Sequence, residues 1–123
     1  MVVALDFDGT TVSHEYPDIG RDIGAESVLK RLINSGHRII LYTMRSGQYL
    51  DEATEWFNKR GIPLYGINTN PTQRSWTTSP KCYAQLYIDD AALGCPLIYP
   101  ENAREYADWK KIEEMLIEKG IIV

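Results

Sequence analysis

The stretch Val2-Val3-Ala4-Leu5-Asp6-Phe7-Asp8-Gly9-Thr10-Thr11 leaves the chain few ways to fold. An unbroken apolar run from Val2 to Leu5 ends in two carboxylates one residue apart, then a glycine and two hydroxyls. Such a run reads as a strand buried on both faces, as in a parallel sheet. Residues two apart on a strand point to the same side. Asp6 and Asp8 therefore address one spot if the strand persists, or surround it if the chain turns there. Gly9 makes a sharp departure easy, because it accepts backbone angles that other residues avoid. Ligands of open α/β sheets bind beyond the carboxyl ends of the strands. Two acids there can hold a hard cation such as Mg²⁺, and one of them can act as a nucleophile. Asp and Gly are also ordinary turn residues, so a plain turn competes, and the rest of the chain must decide.

Residues 12–22 are polar and irregular, with His14, Pro17 and Gly20 among them. Long loops in compact domains are often functional, and His14 reads either as a general base or as a solvated loop histidine. Val28, Leu29, Leu32 and Ile33 recur at helical spacing within Ala25 to Asn34, and Gly36 supplies the stop. Arg38-Ile39-Ile40-Leu41-Tyr42-Thr43 reads as a second buried strand. Strand, helix and strand form a βαβ unit, so the two strands should be parallel. Thr43 then lies at the carboxyl end of its strand, level with Asp6.

A second helix over Gln48 to Lys59 turns Leu50, Ala53, Trp56 and Phe57 inward, and Gly61 ends it. Leu64 to Ile67 is a third strand, and Asn68 to Ser79 a polar loop holding Arg74 and Trp76. Lys81 begins the approach to a fourth strand, Leu86-Tyr87-Ile88, which ends in Asp89-Asp90. A short strand at Leu97 to Tyr99 and a final helix, from about Asn102 or Asp108 to Lys119, complete the pass.

The parallel sheet is expected to bring Asp6, Asp8, Thr43, Lys81, Asp89 and Asp90 to one edge. Carboxylates crowded at one point repel each other unless a cation joins them. Every available ligand is a hard oxygen, which points to Mg²⁺. A lysine and a threonine beside the metal suit phosphate oxygens. Composition narrows the alternatives. The 123 residues are expected to form one domain. A net charge of −4 argues against a nucleic-acid backbone as partner, without excluding a small basic patch. Cys82 and Cys95 stand apart from any Cys/His cluster, so zinc is not expected. No apolar run reaches membrane-span length and no leader is evident. The expectation is a cytoplasmic protein that does not engage membranes.

The pattern resembles the haloacid dehalogenase-like (HAD) superfamily of phosphotransferases. Its first motif, Asp-x-Asp-x-Thr, is matched by Asp6-Phe7-Asp8-Gly9-Thr10. The second, a hydrophobic strand ending in Thr or Ser, is matched by Ile39-Ile40-Leu41-Tyr42-Thr43. Lys81 matches the third, although it stands only eight residues before Asp89. Leu86-Tyr87-Ile88-Asp89-Asp90 matches the fourth, an acid pair after a strand. All four occur in family order between residues 2 and 90.

The resemblance implies a Rossmann-like three-layer α/β/α sandwich around a mainly parallel sheet. It also implies a Mg²⁺-dependent phosphatase working through an aspartyl-phosphate. Asp6 would be the nucleophile, and Asp8 the acid and then the base. The metal would be held by Asp6, the Asp8 carbonyl and Asp89, with Asp90 through water. Thr43, Lys81 and Gly9 would hold the phosphoryl group, and Arg45 would reach substrate or form a surface salt bridge. Residues 9–42 and 44–80 leave no room for a full cap domain. The site should therefore be open, with the 12–22 and 68–79 loops as partial lids or a second copy of the chain as cover. The substrate is a phosphorylated compound that the sequence does not identify, a 3′-phosphorylated polynucleotide end being one alternative. A non-catalytic HAD-like binding or regulatory module is the competing reading from another class. A receiver-like domain is disfavoured by the second acid, Asp8.

Overall fold

The computed structural model describes residues 1–123, an α/β fold of the Rossmann-like sandwich type. Its central sheet is wholly parallel, in the order β3-β2-β1-β4. The strands are β1 (Val2–Leu5), β2 (Arg38–Leu41), β3 (Gly66–Ile67) and β4 (Leu86–Ile88). The helices are α1 (Ala25–Asn34), α2 (Gly47–Lys59) and α3 (Trp109–Glu118). A small antiparallel pair, β5 (Leu97–Ile98) and β6 (Tyr106–Ala107), stands apart from the sheet.

Alternation along the strands divides the core. Val3 and Leu5, Ile39 and Leu41, and Leu86 and Ile88 join one cluster with Val28, Leu29 and Leu32 of α1, Phe57 of α2 and Ile112 and Leu116 of α3. Ala4 and Ile40 face the other way and meet Cys82, Tyr42, Tyr65 and Ala84. All three helices thus feed the first face. The second is covered by the connection between β3 and β4, where a single 3₁₀ turn (Gln73–Ser75) stands in for a helix. The layer on that face is thinner than the sequence suggested. The 68–79 segment is rich in Thr, Ser and Pro and carries no apolar stripe that a helix could bury.

Register fixes the height of the acids. Leu5 pairs with Leu41 on one side and with Ile88 on the other. Asp6 and Asp89, the next residues, leave the sheet at one level. Phe7 is fully buried against Trp56 and Phe57, with ring centroids 6.2 and 6.0 Å away. Burying a side chain of that size is worth about 1.5–3 kcal/mol, and here it anchors the turn that carries the acids. No helix is long and apolar enough to cross a membrane.

Candidate active site

Beyond Leu5 the chain tightens into a turn in which the N–H groups of Thr10, Thr11 and Val12 all point to the Phe7 carbonyl. The Thr11 hydroxyl donates to the Asp6 carbonyl at 2.7 Å. From α3, the Trp109 indole N–H donates to the Thr10 carbonyl at 2.6 Å. A residue far along the chain thus holds the first motif in place.

Asp6, Asp89 and Asp90 come together, each offering a carboxylate oxygen within 4.8 Å of the other two. The buried Thr10 hydroxyl ties two of them. It lies 2.7 Å from Asp6 Oδ2 and 3.1 Å from Asp90 Oδ1, and it accepts the Asp90 N–H at 2.9 Å. Neither Asp6 nor Asp89 has an ion-pair partner. Burial pushes the Asp6 carboxyl up to about 8. The Thr10 bond opposes the rise, while the bond to Asp90 and the charges of Asp89 and Asp90 add to it. At Asp90 burial also works upward, but bonds from His14, Asp6 and Thr10 outweigh it and hold the group below the usual carboxylate range. Asp6 and Asp90 are thus pushed in opposite directions, Asp6 toward its protonated form. A cluster of hard oxygens with no lysine or arginine paired to it fits Mg²⁺.

Asp8 is not part of that cluster. Its carboxylate faces Arg45, which donates through Nε to Oδ2 at 2.8 Å and through Nη2 to Oδ1 at 2.7 Å. Arg45 also donates to the carbonyls of Pro17, Asp18 and Tyr49. All five of its N–H groups are therefore used. Its guanidinium lies 5.1 Å from both the Phe7 and the Tyr16 ring centroids, and its side chain is 1% exposed. The Asp8 bond raises the Arg45 pKa against the opposing effect of burial. The expectation of a substrate contact or surface salt bridge at Arg45 is corrected: it is a buried strut. It also fixes the 12–22 loop at Pro17 and Asp18, so that loop is a wall rather than a lid.

Two further assignments change. Gly9 does not offer its amide to a phosphate, because that N–H donates to the Val12 carbonyl at 2.8 Å. What Gly9 provides is room. At φ 81° it lies where a Cβ would stand 2.1 Å from His14 Nε2 and 2.6 Å from Asp90 Oδ2. His14 is neither solvated nor free, since its Nε2 sits 3.0 Å from Asp90 Oδ2. The Asp-x-Asp-x-Thr pattern already contained Thr10. Nothing in the sequence pointed to the pairing of His14 with Asp90.

At the end of β2, the Thr43 N–H donates to Asn68 Oδ1 at 2.7 Å, and Thr43 Oγ1 accepts the Arg45 N–H at 3.1 Å. The Thr43 hydroxyl proton has no acceptor within the protein. Lys81 stands on the second face, exposed, with Nζ 5.8 Å from the Tyr87 ring centroid and no ion pair to the acids.

The arrangement defines a class: a parallel α/β domain with a three-carboxylate cluster at the end of its central strand. No protein-family model and no curated protein matches the chain. Among solved structures, it is 42% identical to a conserved protein from Bacteroides thetaiotaomicron, over 97% of this chain and 91% of that one, with a TM-score of 0.79. The chain belongs to the same family as that protein.

Proposed function

We propose that the chain is a Mg²⁺-dependent phosphomonoester hydrolase of the haloacid dehalogenase type, acting through an aspartyl-phosphate on Asp6. The observation that carries this reading is the placement of Asp6: carboxyl end of the central strand, with Asp89 and Asp90 oxygens within 4.8 Å and no lysine or arginine paired with any of the three. Asp6, Asp89 and Asp90 would hold Mg²⁺, which when bound neutralises the cluster and the oxygens of the phosphoryl group.

An Asp6 oxygen attacks phosphorus, and the bond from phosphorus to the ester oxygen breaks. The leaving oxygen takes a proton from Asp8. In the second step Asp8 removes a proton from water as it attacks the acyl-phosphate and restores the Asp6 carboxylate. Thr43 donates its free hydroxyl proton to the phosphoryl group, and Lys81 is the cation that approaches from the second face. His14 orients Asp90 rather than touching the substrate.

The non-catalytic alternative is favoured by one observation, the bidentate hold of Arg45 on Asp8. A carboxylate with both oxygens taken by Arg45 has neither turned toward a leaving group. On the proposed reading, Asp8 turns from Arg45 when a substrate arrives.

Quenched-flow labelling with an aryl phosphate tests both readings. With Mg²⁺, the unaltered protein turns over and a chelator stops it. Asp6→Asn carries no phosphate and has background turnover. Asp8→Asn loses about 10²–10⁴-fold in turnover, the usual range for general acid–base catalysis. It also accumulates phosphate on Asp6, since its hydrolysis lacks a base. Covalent phosphate on Asp6→Asn would overturn the assignment. Equal turnover by Asp8→Asn and the unaltered protein would reduce Asp8 to a structural role.

A further inference from the structure

The connection between β3 and β4 encloses a cleft of about 480 Å³ beside the acid site, lined by Asn68, Thr69, Gln73, Arg74 and residues 77–80. None of its lining residues is hydrophobic. Ligand sites of this volume are usually mostly apolar, so a cleft lined by hydroxyls, amides, one guanidinium and Pro80 suits a polar ligand.

Its walls are built in advance by two buried amides. Gln73, 4% exposed, donates to the Ser79 and Lys81 carbonyls at 2.9 and 2.6 Å and accepts the Tyr83 N–H at 2.9 Å. Asn70, 2% exposed, donates to the Tyr83 carbonyl and accepts from both the N–H and the hydroxyl of Thr72. Against that frame Arg74 is exposed and has neither an ion pair nor a side-chain hydrogen bond. It is the cleft's single free cation.

The cleft and the site share a wall. Asn68, in the left-handed region at φ 59°, is held where its Oδ1 receives the Thr43 N–H. The sheet order sets the distance: β3 stands two strand spacings from β1, about 10 Å.

We infer that this cleft is the second half of the substrate site. It takes a small, non-aromatic phosphomonoester with a hydroxylated body and a second anionic group, phosphate or carboxylate, bound by Arg74. This rests on the phosphatase reading and adds the substrate class to it. The nearest aromatic pair, Trp76 and Tyr83, packs edge to face at 5.1 Å and does not line the cleft, which leaves a nucleobase no stacking surface there. Arg presents a planar fork that suits either anion.

The test has a turnover arm and a binding arm. The turnover arm compares kcat/KM for fructose 1,6-bisphosphate, 6-phosphogluconate, fructose 6-phosphate and adenosine monophosphate. 4-Nitrophenyl phosphate reports the chemistry alone. The binding arm titrates the same compounds into Asp6→Asn protein with Mg²⁺, so it needs no catalysis. A preference of about tenfold or more is expected for the two doubly anionic sugars over fructose 6-phosphate in both arms, arising in KM and Kd. That tenfold corresponds to one favourable contact of about 1.4 kcal/mol. Arg74→Gln should collapse the ratio to near one. A response to only one of the doubly anionic sugars identifies which anion Arg74 takes.

Equal affinity for all the sugars overturns the inference, as does tighter binding of adenosine monophosphate or a preference that survives Arg74→Gln. Loss of all turnover, including that of 4-nitrophenyl phosphate, with the binding preference intact would sink the phosphatase reading and leave the cleft standing.

Discussion

Asp6 and Asp8 are two residues apart in one motif, yet they meet opposite surroundings. Asp6 is crowded by Asp89 and Asp90, has no cation, and keeps a proton up to about pH 8. Asp8 faces a buried guanidinium that meets both of its oxygens. The turn after β1 produces the difference. Asp6 leaves the sheet level with Asp89, whereas Asp8 lies past the point where the chain bends toward Val12, on the side where Arg45 emerges from β2. One acid has no cation of the chain beside it, and the other is paired with one.

An effect on stability could break this comparison. Removing one partner of a buried ion pair typically costs about 3–5 kcal/mol. Arg45→Met should therefore cost about that much, since it strands Asp8 and removes the guanidinium donor to the Pro17 and Asp18 carbonyls. A cost of that size is a large share of the roughly 5–15 kcal/mol that holds a domain together, so urea unfolding should be followed at low temperature. Asp6→Asn should behave differently. At neutral pH without metal it replaces a group that is already protonated, and it should stay within about 1 kcal/mol of the unaltered protein. Similar losses in the two variants would show that the two acids are not differently housed.

Much of this was legible in the residues, for identifiable reasons. Apolar runs with abrupt polar ends placed β1, β2 and β4, and crossover chirality then put Asp6 and Asp89 at one edge. The periodicity of Val28, Leu29 and Leu32 located α1. The pairing of Arg45 was not legible. Its position two residues after Thr43 says where its backbone lies, but a long side chain can turn out to substrate or in beneath the loop. That choice depends on the Pro17, Asp18 and Tyr49 carbonyls, which carry no side-chain signature. His14 was obscure for a similar reason, since a histidine in an irregular loop has no period to place it. The 68–79 segment was readable as loop, while its frame of buried Asn70 and Gln73 depends on contacts that only the folded chain brings together.

A smaller effect sharpens the comparison from the Asp6 side. His14 touches Asp90 and not Asp6, and on the proposed reading it positions a metal ligand. Loss of a group that orients a metal ligand typically costs about 10–100-fold in metal affinity. His14→Ala should weaken Mg²⁺ binding by that amount, read by calorimetry, or by Mn²⁺ paramagnetic resonance, while the thermal midpoint without metal changes little. His14→Gln should recover most of the loss, because an amide can reach the place of Nε2. Unchanged affinity in His14→Ala would leave His14 a loop residue that happens to lie near Asp90.

The pH dependence tests the comparison too, and its sign is specific to Asp6. The unfolded chain loses this proton near the ordinary value of 3.8, and the folded chain keeps it up to about 8. Between those values the folded state binds more protons, so its stability should fall as pH rises from about 4 to about 8 and level off above. Asp90, held low, acts the other way. Its contribution is present above its ordinary value of 3.8 and is lost as pH falls through its lower folded value, outside that window. The decline should disappear in Asp6→Asn and persist in Asp8→Asn. Mg²⁺ should oppose it, because binding requires the ionised carboxylate and expels the proton. Calorimetric titration in buffers of different ionisation heat should find close to one proton released per Mg²⁺ at about pH 7, falling toward zero by about pH 9.5. A metal-free stability that is flat from about pH 4 to 8, or that rises, would mean that Asp6 is ionised without a cation and that the two acids of the motif are housed alike.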